Sequence, residues 1–116
     1  MRTKIVSLLL ALALCGACQA KEQHGPDCSG GWPTSMAQGL LKNTGLLKNE
    51  EIDFARTKTV QLASEKIGSD LWHQVYLVTF FKKSGETIRA IAVHDASKEE
   101  CSITGVTLYV ISDKLK

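Results

Sequence analysis

Residues 94–101 hold the densest group of side chains in this chain that could do chemistry. The segment reads HDASKEEC, so a base, several carboxylates, a hydroxyl and a thiol lie close together. A catalytic triad needs a base that is held by a carboxylate and aimed at a nucleophile. Adjacent His94 and Asp95 would point in divergent directions at a strand end, and the sequence has no Gly-x-Ser-x-Gly elbow. The pattern therefore favours a solvated connection between strands over an active site.

Metal ligation has less support in the sequence. After residue 20 there is no His-x-x-x-His and no Cys-x-x-Cys, which are the spacings typical of zinc sites. Asp95, Glu99 and Glu100 could hold calcium weakly, but they do not alternate as the acidic residues of a calcium loop do. His73, which precedes a predicted strand, is interpreted as a half-exposed strand-end residue. We predict no metal and no cofactor.

The two tryptophans allow different interpretations. Tryptophan is enriched at binding hot spots, but in a small domain it more often fills the core. Trp72 stands beside an apolar strand and is predicted to be buried. Trp32 lies between Gly31 and Pro33, near Cys28, and either a core or a contact role remains open.

The first twenty residues have the pattern of a bacterial export signal. A basic start, MRTK, is followed by the uncharged apolar run IVSLLLALAL, which is about half the length that a membrane-spanning helix needs. We expect cleavage after Ala20, so that residues 1–20 are a signal peptide. The alternative is lipoprotein processing, in which Cys18 is acylated, although Cys15 stands where a lipobox usually has leucine.

Removal of this signal leaves residues 21–116 as one small domain. The 14 basic residues of the chain include Arg2 and Lys4, so the mature part has 12, which equals its 12 acidic residues. A net charge near zero gives no reason to propose nucleic acid or an anionic membrane as a partner. About a hundred residues are enough for one hydrophobic core.

The cysteines predict one disulfide bond. After either cleavage, Cys28 and Cys101 are the pair left for bonding in an oxidising compartment. A disulfide that closes a loop of about seventy residues stabilises a fold by roughly 4 kcal/mol in the chain-entropy model. The alternative is a thiol enzyme in which one of these cysteines works with His94, which requires a free thiolate.

One helix is predicted before any strand. The residues GWPTSM at 31–36 indicate a helix start, with Pro33 tolerated in the first turn. Apolar side chains then recur at helical spacing, and Gly45 ends the pattern. Residues 46–54 are open between a short helical turn and an irregular segment that covers the edge of the core.

The periodicity changes after residue 54. Residues 57–64 are rich in β-branched side chains and are predicted to form a strand with Val60 and Leu62 on one face. Residues 74–82 are apolar on both faces, which is typical of a central strand.

Two further strands complete the predicted fold. Residues 83–85 indicate a turn, 86–93 a hairpin partner and 103–112 the last strand. One helix followed by four strands predicts an α+β domain, with the helix packed on a four-stranded antiparallel sheet. Cystatin-like and NTF2-like folds share this architecture. The inhibitory hairpin sequence of the cystatins is absent, so the likeness implies no protease inhibition.

Two stretches also resemble a group of small exported bacterial proteins to which no activity is assigned. They are ASEKIG at 63–68 and DAS-x-EECS-x-x-GV at 95–106, and the likeness covers most of the mature chain. The resemblance implies export and a single domain, and it leaves the chemistry open.

Two classes of function remain. The first is a protein-binding module of the bacterial envelope: an inhibitor, an immunity protein or an accessory factor. Its partner would be another envelope or secreted protein, and its location periplasmic, secreted or anchored through Cys18. The predicted contact surface is the 94–102 connection, with Trp32, Asp95, Lys98, Glu99 and Glu100. The second class is a small periplasmic hydrolase with a Cys–His or carboxylate site.

Overall fold

The structure is a computed structural model that describes residues 25–111. The expected signal peptide, both of its cleavage alternatives and Ser112 at the end of the last predicted strand lie outside the described residues. The helix α1 covers Trp32–Asn43, and two single 3₁₀ turns follow at Asn49–Glu51 and Phe54–Arg56. The strands are β1 Lys58–Gly68, β2 Leu71–Phe81, β3 Thr87–Ala96 and β4 Thr107–Ile111.

The four strands form one sheet in the order β1-β2-β3-β4, and each neighbouring pair is antiparallel. The helix α1 packs on one face of this meander, chiefly against β2 and β3. The predicted α+β architecture is therefore confirmed. A meander has this order because each strand turns back on the one before it through a short loop.

The helix begins and ends where the sequence indicates. Pro33 occupies the first turn, where its missing N–H costs no hydrogen bond. Gly45 has a φ of 82°, which a residue with a side chain rarely adopts, and the helix has ended before it. Ala37 and Leu41, one turn apart, are buried against the sheet. Within residues 25–111 no helix is long and apolar enough to cross a membrane.

The open prediction for residues 46–54 resolves into an irregular segment with short 3₁₀ turns. Leu47 and Ile52 are buried at the edge of the core. Leu46 and Phe54, which were expected to share that role, are about half exposed. The sequence pattern does not distinguish the buried pair from the exposed pair, because the segment has no regular period.

Strand β2 is the centre of the sheet, as predicted. Alternate side chains of β2 are completely buried beneath α1: Trp72, Gln74, Tyr76, Val78 and Phe80. The side chains between them face the opposite surface of the sheet and are only partly covered. Beside them, β3 places Ala90, Ala92 and Ala96 on the helix side, and these small side chains leave room for α1.

Strand β1 departs from the predicted alternation. Its pairing with β2 skips one residue between Gln61 and Ala63, which makes a β-bulge at Leu62. Val60 and Leu62 are 41% and 53% exposed, so neither belongs to the core. The prediction that they share one face relied on an unbroken period of two, and the bulge breaks that period.

The limits of β2 and β3 correct the prediction for residues 94–102. Strand β2 begins three residues earlier than expected, and its Trp72 and His73 pair with Ala96 and Asp95 of β3. Strand β3 therefore runs through Ala96, and only residues after it form the connection to β4. Backbone pairing with a long neighbouring strand outweighs the polar character of this segment, which suggested a loop.

Candidate functional site

The end of the sheet at which β2 begins and β3 ends gathers most of the predicted site. The connection after β3, residues 97–106, folds back over this end. It meets the start of α1 because Cys101 is bonded to Cys28, with an S–S distance of 2.02 Å and 5.8 Å between the Cα atoms. The predicted disulfide is confirmed. Neither sulfur is a free thiol, so the alternative of a thiolate that works with His94 does not hold in this structure.

Hydrogen bonds hold the connection from both sides. The indole Nε1 of Trp32 donates to the backbone oxygen of Thr104 at 3.0 Å. The hydroxyl oxygen of Thr104 accepts from the backbone N–H of Asp95 at 2.9 Å. The backbone N–H of Lys98 donates to a carboxylate oxygen of Asp70 at 3.0 Å. An otherwise irregular segment is thus fixed to α1, to β3 and to the β1–β2 turn.

The first part of this connection is also closed on itself. The backbone N–H of Ser97 donates to the oxygen of Glu100 at 2.9 Å, and the N–H of Glu100 donates to the Ser97 hydroxyl at 3.1 Å. Lys98, Glu99 and Glu100 are exposed on this turn, where no ion pair within the described residues engages them. The carboxylates of Glu99 and Glu100 therefore extend into solvent from a turn that hydrogen bonds hold in place.

Asp95 lies elsewhere than predicted, whereas Trp32 lies at the connection. Asp95 is a β3 residue on the sheet face opposite α1, and its carboxylate is 2.6 Å from Nδ1 of His73 on β2. Trp32 is half-buried, because its ring covers the connection and its nitrogen is bonded to Thr104. The structure thus brings Trp32 to the connection, as predicted, and separates Asp95 from Glu99 and Glu100.

The His73–Asp95 pair is the feature of this site that most resembles catalytic chemistry. His73 is 47% exposed in its side chain and Asp95 24%, so the pair sits on the surface. The expectation of a half-exposed strand-end residue is met, but the carboxylate partner was not foreseen. A base of this kind acts only on a nucleophile within hydrogen-bond reach. The contact with Asp95 engages Nδ1 and so orients the ring of His73.

His94 points the other way, into the core, as expected for a neighbour of Asp95 on a strand. It is 2% exposed, and its ring centroid lies 5.6 Å from that of Tyr76. Burial lowers the pKa of His94 below its ordinary value of 6.5. The backbone of Cys101 and of Asp95 opposes this shift, but neither ring nitrogen has a partner with hydrogen-bond geometry. The effect of burial on the pKa therefore outweighs that of the backbone groups, and His94 is neutral at neutral pH.

A buried polar network beside His94 was missed by sequence reasoning. The Tyr76 hydroxyl accepts from Gln61 Nε2 at 2.9 Å and donates to Gln74 Oε1 at 2.7 Å. The amide of Gln74 donates to the backbone oxygen of Pro26 at 2.8 Å and to the hydroxyl of Ser64 at 3.0 Å. The signal was present, since Gln74 and Tyr76 stand two apart on the buried face of a strand. Buried polar groups in such positions need partners.

Trp72 closes the core at this end, as predicted. Its side chain is completely buried, and the Nζ atoms of Lys66 and Lys98 lie 5.4 Å and 6.0 Å from the ring centroid. Gly25 packs on the ring so closely that a Cβ atom there would be 2.6 Å from Cγ of Trp72. The segment before Cys28 therefore packs against the core at Trp72.

The acidic side chains that were considered for calcium do not converge in the described residues. Within residues 25–111 no three His, Cys, Asp or Glu side chains converge as a metal site, so Asp95, Glu99 and Glu100 do not form the weak calcium site that was considered. What the arrangement offers is a rigid surface. It has a half-buried indole, an exposed Ile103 and two free carboxylates.

No protein-family model, no curated protein and no solved structure matches this chain.

Proposed function

We propose that this chain is an exported protein of the bacterial envelope that acts as a small protein-binding module. The contact surface is the anchored loop, by which we mean residues 97–104 together with Trp32. One observation carries the proposal: an irregular loop with exposed charged and apolar side chains is fixed by a disulfide and by hydrogen bonds to three elements.

Rigidity matters because ordering a loop on binding costs free energy. Each side chain or loop segment that is immobilised at an interface weakens association. Here the backbone is ordered before any partner arrives, through Cys101, Thr104 and Lys98. A surface of this kind retains more of its contact energy as affinity. Residues 98–104 are mostly exposed, so their side chains are accessible to a partner.

The side chains indicate the chemistry of the partner. Ile103 is 45% exposed and precedes Thr104, whose backbone oxygen is bonded to Trp32, and Glu99 and Glu100 are exposed on the same loop. Interfaces commonly have an apolar or aromatic centre with a charged rim. Acidic rims attract basic surfaces and raise the rate of encounter. The expected partner is therefore an envelope or secreted protein with a small apolar patch and basic residues around it.

We propose in addition where the protein is located and which folds it is related to. Export through the signal at residues 1–20 places the domain in the periplasm or outside the cell, and acylation of Cys18 would anchor it to a membrane. The disulfide supports an oxidising compartment. The helix-on-sheet architecture supports a relationship to cystatin-like or NTF2-like folds. The resemblance to small exported bacterial proteins points to the same setting.

The test is capture of the partner from an envelope extract with the mature protein as bait. The variant Glu99→Lys/Glu100→Lys reverses both charges of the anchored loop, and Trp32→Ala removes its aromatic centre. The matched control is Glu50→Lys/Glu65→Lys, which reverses two exposed glutamates elsewhere. We expect one partner to be captured by the wild type and by the control and lost from both loop variants. Circular dichroism establishes that each variant is folded.

Equal capture by all four proteins would place the binding surface elsewhere. Absence of any specific partner, in extracts that contain periplasmic and membrane fractions, would count against a binding module altogether.

A hydrolase is the second candidate, and the His73–Asp95 contact of 2.6 Å is the observation in its favour. Its test is labelling of the mature protein with electrophilic probes for serine and cysteine hydrolases. Labelling that is lost in His73→Gln would establish an enzyme. Absence of labelling agrees with the binding module.

A further inference from the structure

The two edges of the sheet differ in how well they are protected. Edge strands expose unpaired backbone groups, and proteins guard them with charges, bulges or short length. Strand β1 carries Lys58, Glu65 and Lys66. Its pairing with β2 is also irregular at two places, between Gln61 and Ala63 and between Lys66 and Gly68. These features make β1 a poor template for another strand.

Strand β4 is short, at five residues, but it has neither charges nor a bulge. Residues 103–111 read ITGVTLYVI, without a charge or a proline, and β4 pairs with β3 without a bulge. Tyr109 is 59% exposed and Val110 is 50% exposed, although they lie on opposite faces of the strand. Among the described residues no strand pairs with the outer side of β4. An uncharged apolar edge of this kind is a site for strand addition.

An apolar groove runs along the helix side of this edge. It has a volume of about 410 Å³ and lies between the end of α1 and β4. Its principal lining side chains are Leu40, Leu41, Leu46, Val106, Leu108 and Val110. Leu46 is 50% exposed there, so the groove adds open apolar surface to the open edge.

We propose that β4 pairs antiparallel with β4 of a second copy of this chain, so that two sheets join into one. A twofold axis perpendicular to the sheet relates antiparallel strands and keeps both helices on the same side. The grooves of the two copies then face each other, so that each copy covers Leu46 and Val110 of the other.

The second copy is the occupant that the strand itself selects. A twofold interface must be self-complementary, since each residue meets the same surface on the partner. A charged edge would bring like charges together in such a pair, and β4 has none. A matching strand must also be apolar on both faces, toward the groove and toward the open sheet face. Strand β4 satisfies both requirements through Leu108 and Val110 on one side and Tyr109 and Ile111 on the other.

The joint leaves the anchored loop free. The pairing of β4 with β3 begins at Thr107 and Val93, and residues 97–104 lie beyond that end. Dimer formation and partner binding are therefore separate properties, and a dimer would present two copies of the anchored loop.

The experiment is sedimentation velocity of the mature, oxidised protein over a wide range of concentration. Val110→Lys places a charge in the β4 edge, and Val60→Lys is the matched control, since Val60 is a similarly exposed valine on the other edge strand. We expect dimers for the wild type and for Val60→Lys and monomers for Val110→Lys. Tyr109→Lys, on the opposite face of β4, provides a second edge variant if Val110→Lys does not fold.

A wild type that stays monomeric at every concentration would overturn the proposal. So would a dimer that survives both β4 variants, or one that Val60→Lys disrupts, because the interface would then lie on another surface. A monomer whose β4 edge binds an added extended apolar peptide would assign the edge to a different occupant and equally overturn it.

Discussion

The phenolic oxygen of Tyr76 lies 2.9 Å from the backbone nitrogen of Cys28, a residue 48 positions earlier in the chain. The same oxygen is bonded to Gln61 and Gln74. One hydroxyl on the central strand therefore holds the first strand, its own strand and the segment that carries the disulfide. Burial raises the pKa of Tyr76 above its ordinary value, so the hydroxyl keeps its proton throughout the neutral range.

Tyr76→Phe should lower the free energy of unfolding by about 1–3 kcal/mol, because it leaves buried partners without a hydrogen bond. Urea denaturation of the oxidised protein measures the change. Tyr109→Phe is the matched control, since that side chain is 59% exposed, and it should change stability little. Equal effects of the two substitutions would show that the network contributes nothing beyond ordinary packing.

Loss of the disulfide should be more costly. Cys28 and Cys101 are 73 positions apart, and removal of a native disulfide from a small secreted domain typically costs 2–5 kcal/mol. We expect this loss in Cys28→Ser/Cys101→Ser, measured by guanidinium denaturation. The reduced wild type should match the double variant. Titration of two free thiols in the unfolded, unreduced protein would contradict the bond.

Gly25→Ala tests whether the segment before the disulfide is packed on Trp72. Gly25 has a φ of 68°, and a Cβ atom there would overlap the indole ring. In a Trp32→Phe background the fluorescence comes from Trp72 alone, and we expect a shift to longer wavelength as the ring becomes hydrated. Gly85→Ala is the control, because its φ of 100° is also strained but its surroundings are open. An unchanged spectrum in Gly25→Ala would refute the packing.

His94 predicts a dependence of stability on pH. Its pKa is lowered in the folded state, so the unfolded chain binds the proton more tightly. The stability that depends on neutral, buried His94 is fully present above the ordinary pKa of 6.5. It declines as the pH falls from that value toward the lower pKa of the folded state. We expect the urea midpoint to fall between neutral and mildly acidic pH in the wild type and in His73→Gln. The fall of the midpoint should be smaller in His94→Leu. If the midpoint of that variant falls as steeply as that of the wild type, the pH dependence comes from other titratable groups.

The sequence was sufficient where one physical cause dominated. Cys28 and Cys101 were the pair expected to bond in an oxidising compartment, and the structure has this bond. Trp72 and the alternating side chains of β2 follow the hydrophobic effect, and they are buried. The helix around Pro33 follows from local backbone preferences, and it begins and ends close to the predicted residues.

Prediction failed where distant contacts decide. His94 and Asp95 look like loop residues until β2 is seen to begin early enough to pair with them. The alternation of residue types around Leu62 does not indicate the bulge that the structure has there. The contact between His73 and Asp95 joins residues 22 positions apart, and only the register of two strands brings them together.

The order of the strands also bears on how the chain reaches this structure. Each strand pairs with its immediate predecessor, so the sheet assembles by closing short loops, which is entropically cheap and fast. The folded chain brings Cys28 and Cys101 together where the connection after β3 reaches the start of α1. Within residues 25–111 these are the two cysteines, so their oxidation has a single pairing to make. That step requires an electron acceptor for two thiols, and it leaves no wrong bond between described residues to reshuffle.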